Sequence, residues 1–248
     1  MPSVRSLAMT ATTAALGLAL SAGSVPAGAV TAHVVDPEAA TTSVARVIPG
    51  TSYAFTSVVA GKPVRWNPCA VIHWRANTRY GPSGGLGVLK AAVGTIASAT
   101  HTQWVYDGPT SAVPRTSLLG GRSNKARTIV LGWTDNRSSD LLAGQGRYTA
   151  GMTRTLWFSS TTSRGRFAVT RGAVVALNRA SRLPLRGPVS WQTVATHELG
   201  HVMGLAHART SNEVMAPVLS RRFSTLQAGD RSGLARLGRQ VGCVTFPG

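Results

Sequence analysis

The sequence predicts one α+β domain of α/β-like character, built on a mixed, twisted sheet. The order of the predicted elements predicts this fold class, and the length and composition of the chain are consistent with it. The predicted elements follow the order strand, helix, strands, helix, helix, which suits helices packed on a sheet. The chain has 248 residues, enough for one ordinary domain with a core or for two small ones. Its hydrophobic content of 43% and its mean hydropathy of +0.07 indicate neither a disordered chain nor a multispan membrane protein.

The middle of the chain predicts four strands and one long helix. Residues 70–77 alternate enough to indicate a strand. Residues 85–104 place apolar side chains on one helical face and predict an amphipathic helix. Residues 126–135 form a short, apolar, β-branched run that is typical of a central strand. Residues 153–159 and 171–178 predict two further strands on either side of a turn-rich piece.

Two more helices are predicted towards the C-terminus. Ser190 is a good N-cap, and Trp191 and Leu199 follow at helical spacing as part of a buried back face. Residues 226–238 predict the last helix from the spacing of their leucines.

The first 29 residues have the three-part pattern of a secretory signal peptide. Arg5 supplies a basic start, residues 7–20 are apolar, and small residues close the segment at positions 27–29. The alternative is a transmembrane anchor, but threonines interrupt the apolar run and it is short for a bilayer. We therefore expect an exported, extracellular protein without a transmembrane anchor. Residues 30–61 are interpreted as a linker or short pro-segment, and residues 62–248 as the folded domain.

Export bears on the redox state of Cys69 and Cys243, the only two cysteines. An oxidising compartment favours joining such a pair. The closed loop would be long, and the chain-entropy relation gives a stabilisation of about 4–5 kcal/mol before any strain. The alternative is a free thiol that blocks a metal ion. The sequence favours the disulfide.

The charge balance favours anionic partners. Lysine and arginine number 26 against 8 acidic residues, a formal net charge of +18. Such a field suits nucleic acid, cell-wall polymer, anionic lipid or acidic protein; the alternative is that arginine merely fills solvated surface positions. The arginines are scattered without a basic helix or an aromatic platform, which argues against specific nucleic-acid binding. An anionic cell-surface polymer remains a candidate partner.

The stretch HELGHVMGLAH carries the chemistry. On a helix, His197 and His201 project from the same side, one turn apart. Gly204 can take the left-handed conformation that ends a helix and turns the chain back, bringing in His207. Three neutral imidazoles suit Zn²⁺ and leave a fourth position for water, which distinguishes a catalytic site from a structural one. Glu198 lies about 100° around the helix axis from His197, so it can reach that water without being a ligand.

This stretch resembles the signature of the metzincin zinc peptidases, H-E-x-x-H-x-x-G-x-x-H followed by a Met-turn. Here SNEVMAPVLS supplies Met215 and Pro217. Within the metzincins the chain is most similar to the matrixin branch and its bacterial secreted relatives. The similarity rests on the eight-residue step from His207 to Met215 and on LQAGDRSGLARLG, which resembles the C-terminal matrixin helix. It covers residues 62–240 and is strongest over 197–217.

The resemblance implies a matrixin-type catalytic domain. Its sheet would have about five strands, with an active-site helix, a second long helix and a C-terminal helix. One catalytic Zn²⁺ would be bound by His197, His201 and His207. Glu198 would act as general base and then as proton donor to the leaving amine.

The resemblance also implies how substrate binds. Met215 would form a hydrophobic floor under the metal. Pro217 and the residues after it would line the pocket for the side chain that follows the scissile bond. The edge strand, within residues 151–158, would take the substrate as an added strand.

Several positions depart from the matrixin pattern. Ala208 stands where matrixins usually have a small hydroxyl residue, and Gly229 replaces the first of an acidic pair, leaving Asp230. The thiol-bearing latency motif is not present, although Asp36 or Glu38 could block the metal in a precursor.

The acidic residues and the two histidines before the motif are less favoured as metal ligands. The chain has five aspartates and three glutamates, which argues against multi-carboxylate calcium sites. His73 and His101 are interpreted as ordinary half-buried histidines.

The sequence therefore predicts a secreted, monomeric zinc endopeptidase acting on a protein or peptide substrate. The alternative is a cationic cell-surface binding protein with a non-catalytic metal site. Glu198 favours the peptidase, because a purely structural site has no use for a carboxylate beside its ligands.

Overall fold

The computed structural model describes residues 30–35, 46–47, 52–119, 128–162 and 165–244. The predicted signal peptide and the two acidic residues Asp36 and Glu38 lie outside the described residues.

Strands and helices follow the predicted order through this part of the chain. The strands are β1 Val30–Val35, β2 Arg46–Val47, β3 Ala54–Phe55, β4 Val58–Val59, β5 Lys62–Pro63, β6 Ile72–Asn77, β7 Trp104–Pro109, β8 Thr128–Thr134, β9 Gly151–Thr162, β10 Gly165–Asn178 and β11 Leu205–Ala206. The α-helices are α1 Gly85–Thr100, α2 Trp191–Met203 and α3 Ala228–Ala235.

The main sheet is mixed, as predicted, with the strand order β1-β9-β10-β8-β6-β7. Strands β7, β6, β8 and β10 run parallel, and β9 pairs antiparallel with β10. These five strands form the predicted sheet. Strand β1 adds a sixth, antiparallel to β9, along an edge that would otherwise be the end of the sheet.

The core lies between the sheet and the helices α1 and α2. Trp133 of β8 and Trp191 of α2 are both buried and meet edge to face, with ring centroids 5.7 Å apart. Such aromatic pairs contribute about 0.5–1.5 kcal/mol beyond the area they bury. Trp66 is fully buried, and its indole N–H donates to the carbonyl of Val202 at 2.8 Å. Helix α2 is therefore anchored along its apolar back face.

Part of the predicted linker packs in the same core. Tyr53 and Phe55 are buried there, and β3 pairs with β11 just after α2. The packed chain therefore extends to the N-terminal side of residue 62.

The prediction that the first long helix reaches residue 104 is wrong. The helix α1 ends at Thr100, because His101 takes a left-handed conformation with φ 53°. Residues from Trp104 onwards form β7, which pairs parallel with β6. Helical spacing continues through these residues, but pairing with a neighbouring strand overrides it.

The predicted lengths of three other elements also need correction. Strands β9 and β10 extend through the turn-rich piece, because their antiparallel pairing continues to Gly165 opposite Thr162. The last helix is shorter than predicted, since α3 covers only Ala228–Ala235.

The predicted disulfide between Cys69 and Cys243 is confirmed, with Cα atoms 5.4 Å apart. It ties the C-terminal segment to the loop before β6. Arg65 supports the same junction by donating to the carbonyls of Val241 and Gly242. None of the helices in the described residues is long and apolar enough to cross a membrane.

We expect Cys69→Ser with Cys243→Ser to lower the free energy of unfolding by about 2–5 kcal/mol, because the unfolded chain regains the entropy of a long open loop. Urea unfolding of the wild-type and variant chains measures the difference. Wild-type protein under reducing conditions should match the variant. Identical urea midpoints with and without reductant would contradict a stabilising disulfide.

Candidate metal centre

Two local signals set the ends of α2, which carries the first two candidate ligands. Ser190 is the N-cap, and its hydroxyl oxygen accepts from the N–H of Thr193 at 3.3 Å. Gly204 ends the helix with φ 117°, and a Cβ at this position would lie 2.7 Å from the carbonyl oxygen of Val64. Only glycine combines this conformation with this close approach. Both predicted helix ends are confirmed.

The reversal at Gly204 brings three imidazoles together. One ring nitrogen from each of His197, His201 and His207 lies within 4.8 Å of the others. The Nε2 atoms of His197 and His201 are 3.1 Å apart. Two nitrogens bound tetrahedrally to one Zn²⁺, at about 2.0–2.1 Å each, would lie about 3.3 Å apart. The rings therefore could hold one metal ion.

Backbone carbonyls determine which nitrogen faces the centre. The Nδ1 of His197 donates to the carbonyl of Val214 at 2.7 Å, and the Nδ1 of His201 donates to that of Leu205 at 2.8 Å. A carbonyl only accepts, so in the neutral rings the hydrogen is on Nδ1 and the lone pair on Nε2. Two such lone pairs 3.1 Å apart repel unless they share a cation. This donor set fits Zn²⁺, which prefers neutral imidazoles supported in this way.

The carboxylate of Glu198, the residue that follows the first candidate ligand, is buried. Only 2% of the surface of this residue is exposed. The hydroxyl of Thr153 donates to Glu198 Oε2 at 2.6 Å. A Cβ at Gly151 would lie 2.5 Å from Glu198 Oε1, so glycine leaves the space that the carboxylate occupies. Thr153 is 45 residues from Glu198 in the chain, and Gly151 is farther still, so no local pattern could have identified either contact.

Met215 lies on a tight turn against α2. It is buried, and a Cβ at Gly200 would lie 2.3 Å from its sulfur. The thioether therefore packs directly on the helix backbone between the two histidines. The motif specifies a methionine at position 215, but it leaves position 200 unspecified, so the sequence did not predict the contact with Gly200.

A reciprocal pair of carboxylates holds this turn on α3. Asp230 accepts from the N–H groups of Val214 and Met215 at 2.8 and 3.1 Å. Glu213, from the turn, accepts from the N–H groups of Gly229 and Asp230 at 3.1 and 2.9 Å. Burial raises the pKa of Asp230, and the neighbouring Glu213 charge adds to this effect, against the lowering by its N–H donors.

The same contacts explain the glycine at position 229. A Cβ there would lie 1.8 Å from the hydroxyl oxygen of Ser52 and 2.5 Å from Glu213 Oε1. Ser52 in turn donates to Glu213 at 2.9 Å. A buried carboxylate from the turn thus occupies the space that a side chain at residue 229 would need.

A cavity of about 770 Å³ opens beside the histidines. Its polar lining includes His197, Glu198 and His207, together with Arg147 and Arg182. The larger aliphatic lining residues are Leu183, Val189, Val194, Pro217, Val218 and Leu219.

Four of the predicted site residues, His197, Glu198, His207 and Pro217, line this cavity. His201 and Met215 are buried and are not part of its lining, and the other two histidines considered as ligands lie elsewhere. His73 is half-buried and hydrogen-bonded to Asp107 at 2.9 Å. His101 is exposed at the end of α1, so the prediction that it is half-buried is wrong. In the described part of the chain, His197, His201 and His207 form the only group of three potential ligand residues close enough to share a metal ion.

The matrixin family model matches residues 102–238, more than half of the chain. The match includes the three histidines, Glu198 and the turn at Met215. No curated protein matches the chain.

We expect the purified protein to hold one zinc ion per chain, measured by elemental analysis. His201→Ala should reduce this to below about one tenth of an ion per chain, because two remaining imidazoles cannot complete a tetrahedral site. The matched control is His73→Ala, which removes a histidine from outside the cluster and should leave the zinc content unchanged. Equal zinc in His201→Ala and wild type would rule out this centre.

Proposed function

Because this chain belongs to the matrixin family of zinc metallopeptidases, we propose that it is a zinc endopeptidase that cleaves proteins or peptides. One observation carries the proposal: the buried Glu198 lines a substrate-sized cavity together with His197 and His207, two of the three converging imidazoles. A structural zinc site would have no need of that cavity or that carboxylate.

The roles of the residues follow from their positions. His197, His201 and His207 would hold the ion. When bound, Zn²⁺ supplies Lewis acidity, which polarises a peptide carbonyl and makes water more acidic. Glu198 accepts the proton from the attacking water at its carboxylate. It then gives that proton to the nitrogen of the leaving amine, which needs it to depart as a neutral group.

The cavity is proposed to take the substrate side chain that follows the scissile bond. Its aliphatic lining includes Val194 from α2 and Pro217 and Leu219 from the segment after the Met215 turn. Burying an apolar side chain there gains about 25 cal/mol for each Å² removed from water. We therefore propose a preference for apolar residues at this position.

Strand β1 supports the proposal that residues 30–61 include a pro-segment. The resemblance to matrixins implies that substrate adds as a strand along β9. Strand β1 pairs antiparallel with β9 from Val30 opposite Ser160 to Val35 opposite Thr155. Its backbone therefore uses hydrogen-bonding groups of the edge that an added substrate strand would need. The described pairing stops short of residues 151–154, the part of β9 beside Glu198.

Export is also part of the proposal. Residues 1–29 would direct the chain out of the cell, and the disulfide between Cys69 and Cys243 suits an oxidising compartment.

We expect Glu198→Gln to lower kcat/KM by at least about 100-fold, because general base catalysis contributes about 10²–10⁴-fold. Zinc content and the urea midpoint should stay near the wild-type values. Cleavage of a quenched fluorescent peptide library measures the loss, with a strong chelator as blank. The control is Arg221→Gln, which changes an exposed residue outside the cavity lining and should leave kcat/KM unaltered. A fully active Glu198→Gln variant would overturn the role of this residue.

We expect a chain that starts at residue 46 to cleave a peptide with a several-fold lower KM than one that starts at residue 30. The shorter chain lacks β1, so the edge of β9 is open to substrate. Steady-state kinetics of both chains test this, and Glu198→Gln should silence each of them. Equal KM values would show that β1 does not compete with substrate.

A further inference from the structure

Thr153 holds the Glu198 carboxylate through a short, buried hydrogen bond. The threonine is 1% exposed, and its hydroxyl lies 2.6 Å from Glu198 Oε2 and 3.2 Å from the Glu198 carbonyl oxygen. A hydroxyl has a single hydrogen to donate. The shorter distance is typical of an O–H donor on a charged carboxylate, at about 2.5–2.7 Å, so the side chain is the main acceptor.

The other side of the carboxylate is limited by Gly151. A Cβ at Gly151 would come within 2.5 Å of Glu198 Oε1 and 2.8 Å of its carboxyl carbon. The carboxylate thus lies between the Thr153 hydroxyl and the backbone of residue 151, where any side chain would clash with it. Thr153 and Gly151 are two residues apart on a strand, so both face α2.

The position of this pair is set by β10. Gly151 is opposite Leu177 and Thr153 is opposite Val175 in the antiparallel register, and both partners are fully buried. The same stretch of β9 carries the edge that would bind the substrate backbone. One strand therefore determines the positions of both the substrate and the proton acceptor.

We propose that Thr153 is a positioning residue for catalysis. The absence of a side chain at Gly151 leaves the space that the Glu198 carboxylate needs in this position. Thr153 acts through Glu198: its hydroxyl keeps the carboxylate turned so that one oxygen can take the proton of the attacking water. The inference rests on the proposed peptidase function. It assigns no bond making or breaking to Thr153 itself.

The variant that tests this is Thr153→Val, which keeps the shape of the side chain and removes the donor. We expect kcat to fall about 10- to 100-fold, because small displacements of a catalytic group cost this much. KM should change less than about twofold and zinc should remain at one ion per chain, since neither cavity nor ligands are altered. Thr153→Ser, which restores a hydroxyl, should recover most of the lost kcat.

Two further variants separate this role from general destabilisation. Thr170→Val is the matched control, a buried threonine on β10 whose change should leave kcat unaltered. Gly151→Ala should lower kcat like Thr153→Val, because its methyl group displaces the carboxylate from the opposite side. In a Glu198→Gln background, Thr153→Val should produce no further loss of kcat.

A readout independent of activity is the urea midpoint of the zinc-loaded chain in a double-mutant cycle of Thr153→Val and Glu198→Ala. A direct contact predicts non-additive midpoint shifts. Additive shifts, or full kcat in Thr153→Val with an active wild type, would overturn the inference alone. A zinc-loaded wild-type chain that cleaves no peptide would instead overturn the proposed function.

Discussion

The rings of His197 and His201 are each oriented by a hydrogen bond to a backbone carbonyl that lies outside their own helix. His197 donates to Val214 and His201 to Leu205, and each bond directs Nε2 towards the common centre. The helix α2 brings the rings to the same side but does not set their tautomer. The centre therefore requires the chain to reverse twice, once at Gly204 and once at Met215, since those reversals place the two carbonyls.

The second reversal is stabilised by α3. The Asp230 carboxylate binds the N–H groups of Val214 and Met215, while the Glu213 carboxylate binds the N–H groups at the start of α3. Each segment thus caps the other. An isolated buried carboxylate would be costly, but both are satisfied by backbone donors. The last helix of the domain consequently supports the ring of His197, although it contributes no ligand.

Strand β9 connects the centre to the sheet. Its first residues contact Glu198, and β1 pairs with its edge farther along the strand. The strand is held on its other side by β10 along its whole length. One strand therefore contacts the Glu198 carboxylate near its start and pairs with β1 farther along. This arrangement accounts for two otherwise unrelated features, the small residue at Gly151 and the buried hydroxyl at Thr153.

The sequence by itself determined the fold class, the limits of α2, the disulfide and the residues of the histidine cluster. These depend on local spacing, on a cap and a left-handed glycine, or on having only two cysteines. Tertiary structure alone decided that α1 stops at Thr100 and that β7 follows, because a parallel pairing with β6 outweighs helical spacing. It also decided the contacts of Thr153, Gly200 and Asp230. Those contacts join residues far apart in the chain, and no local pattern encodes which distant segment will fill a given space.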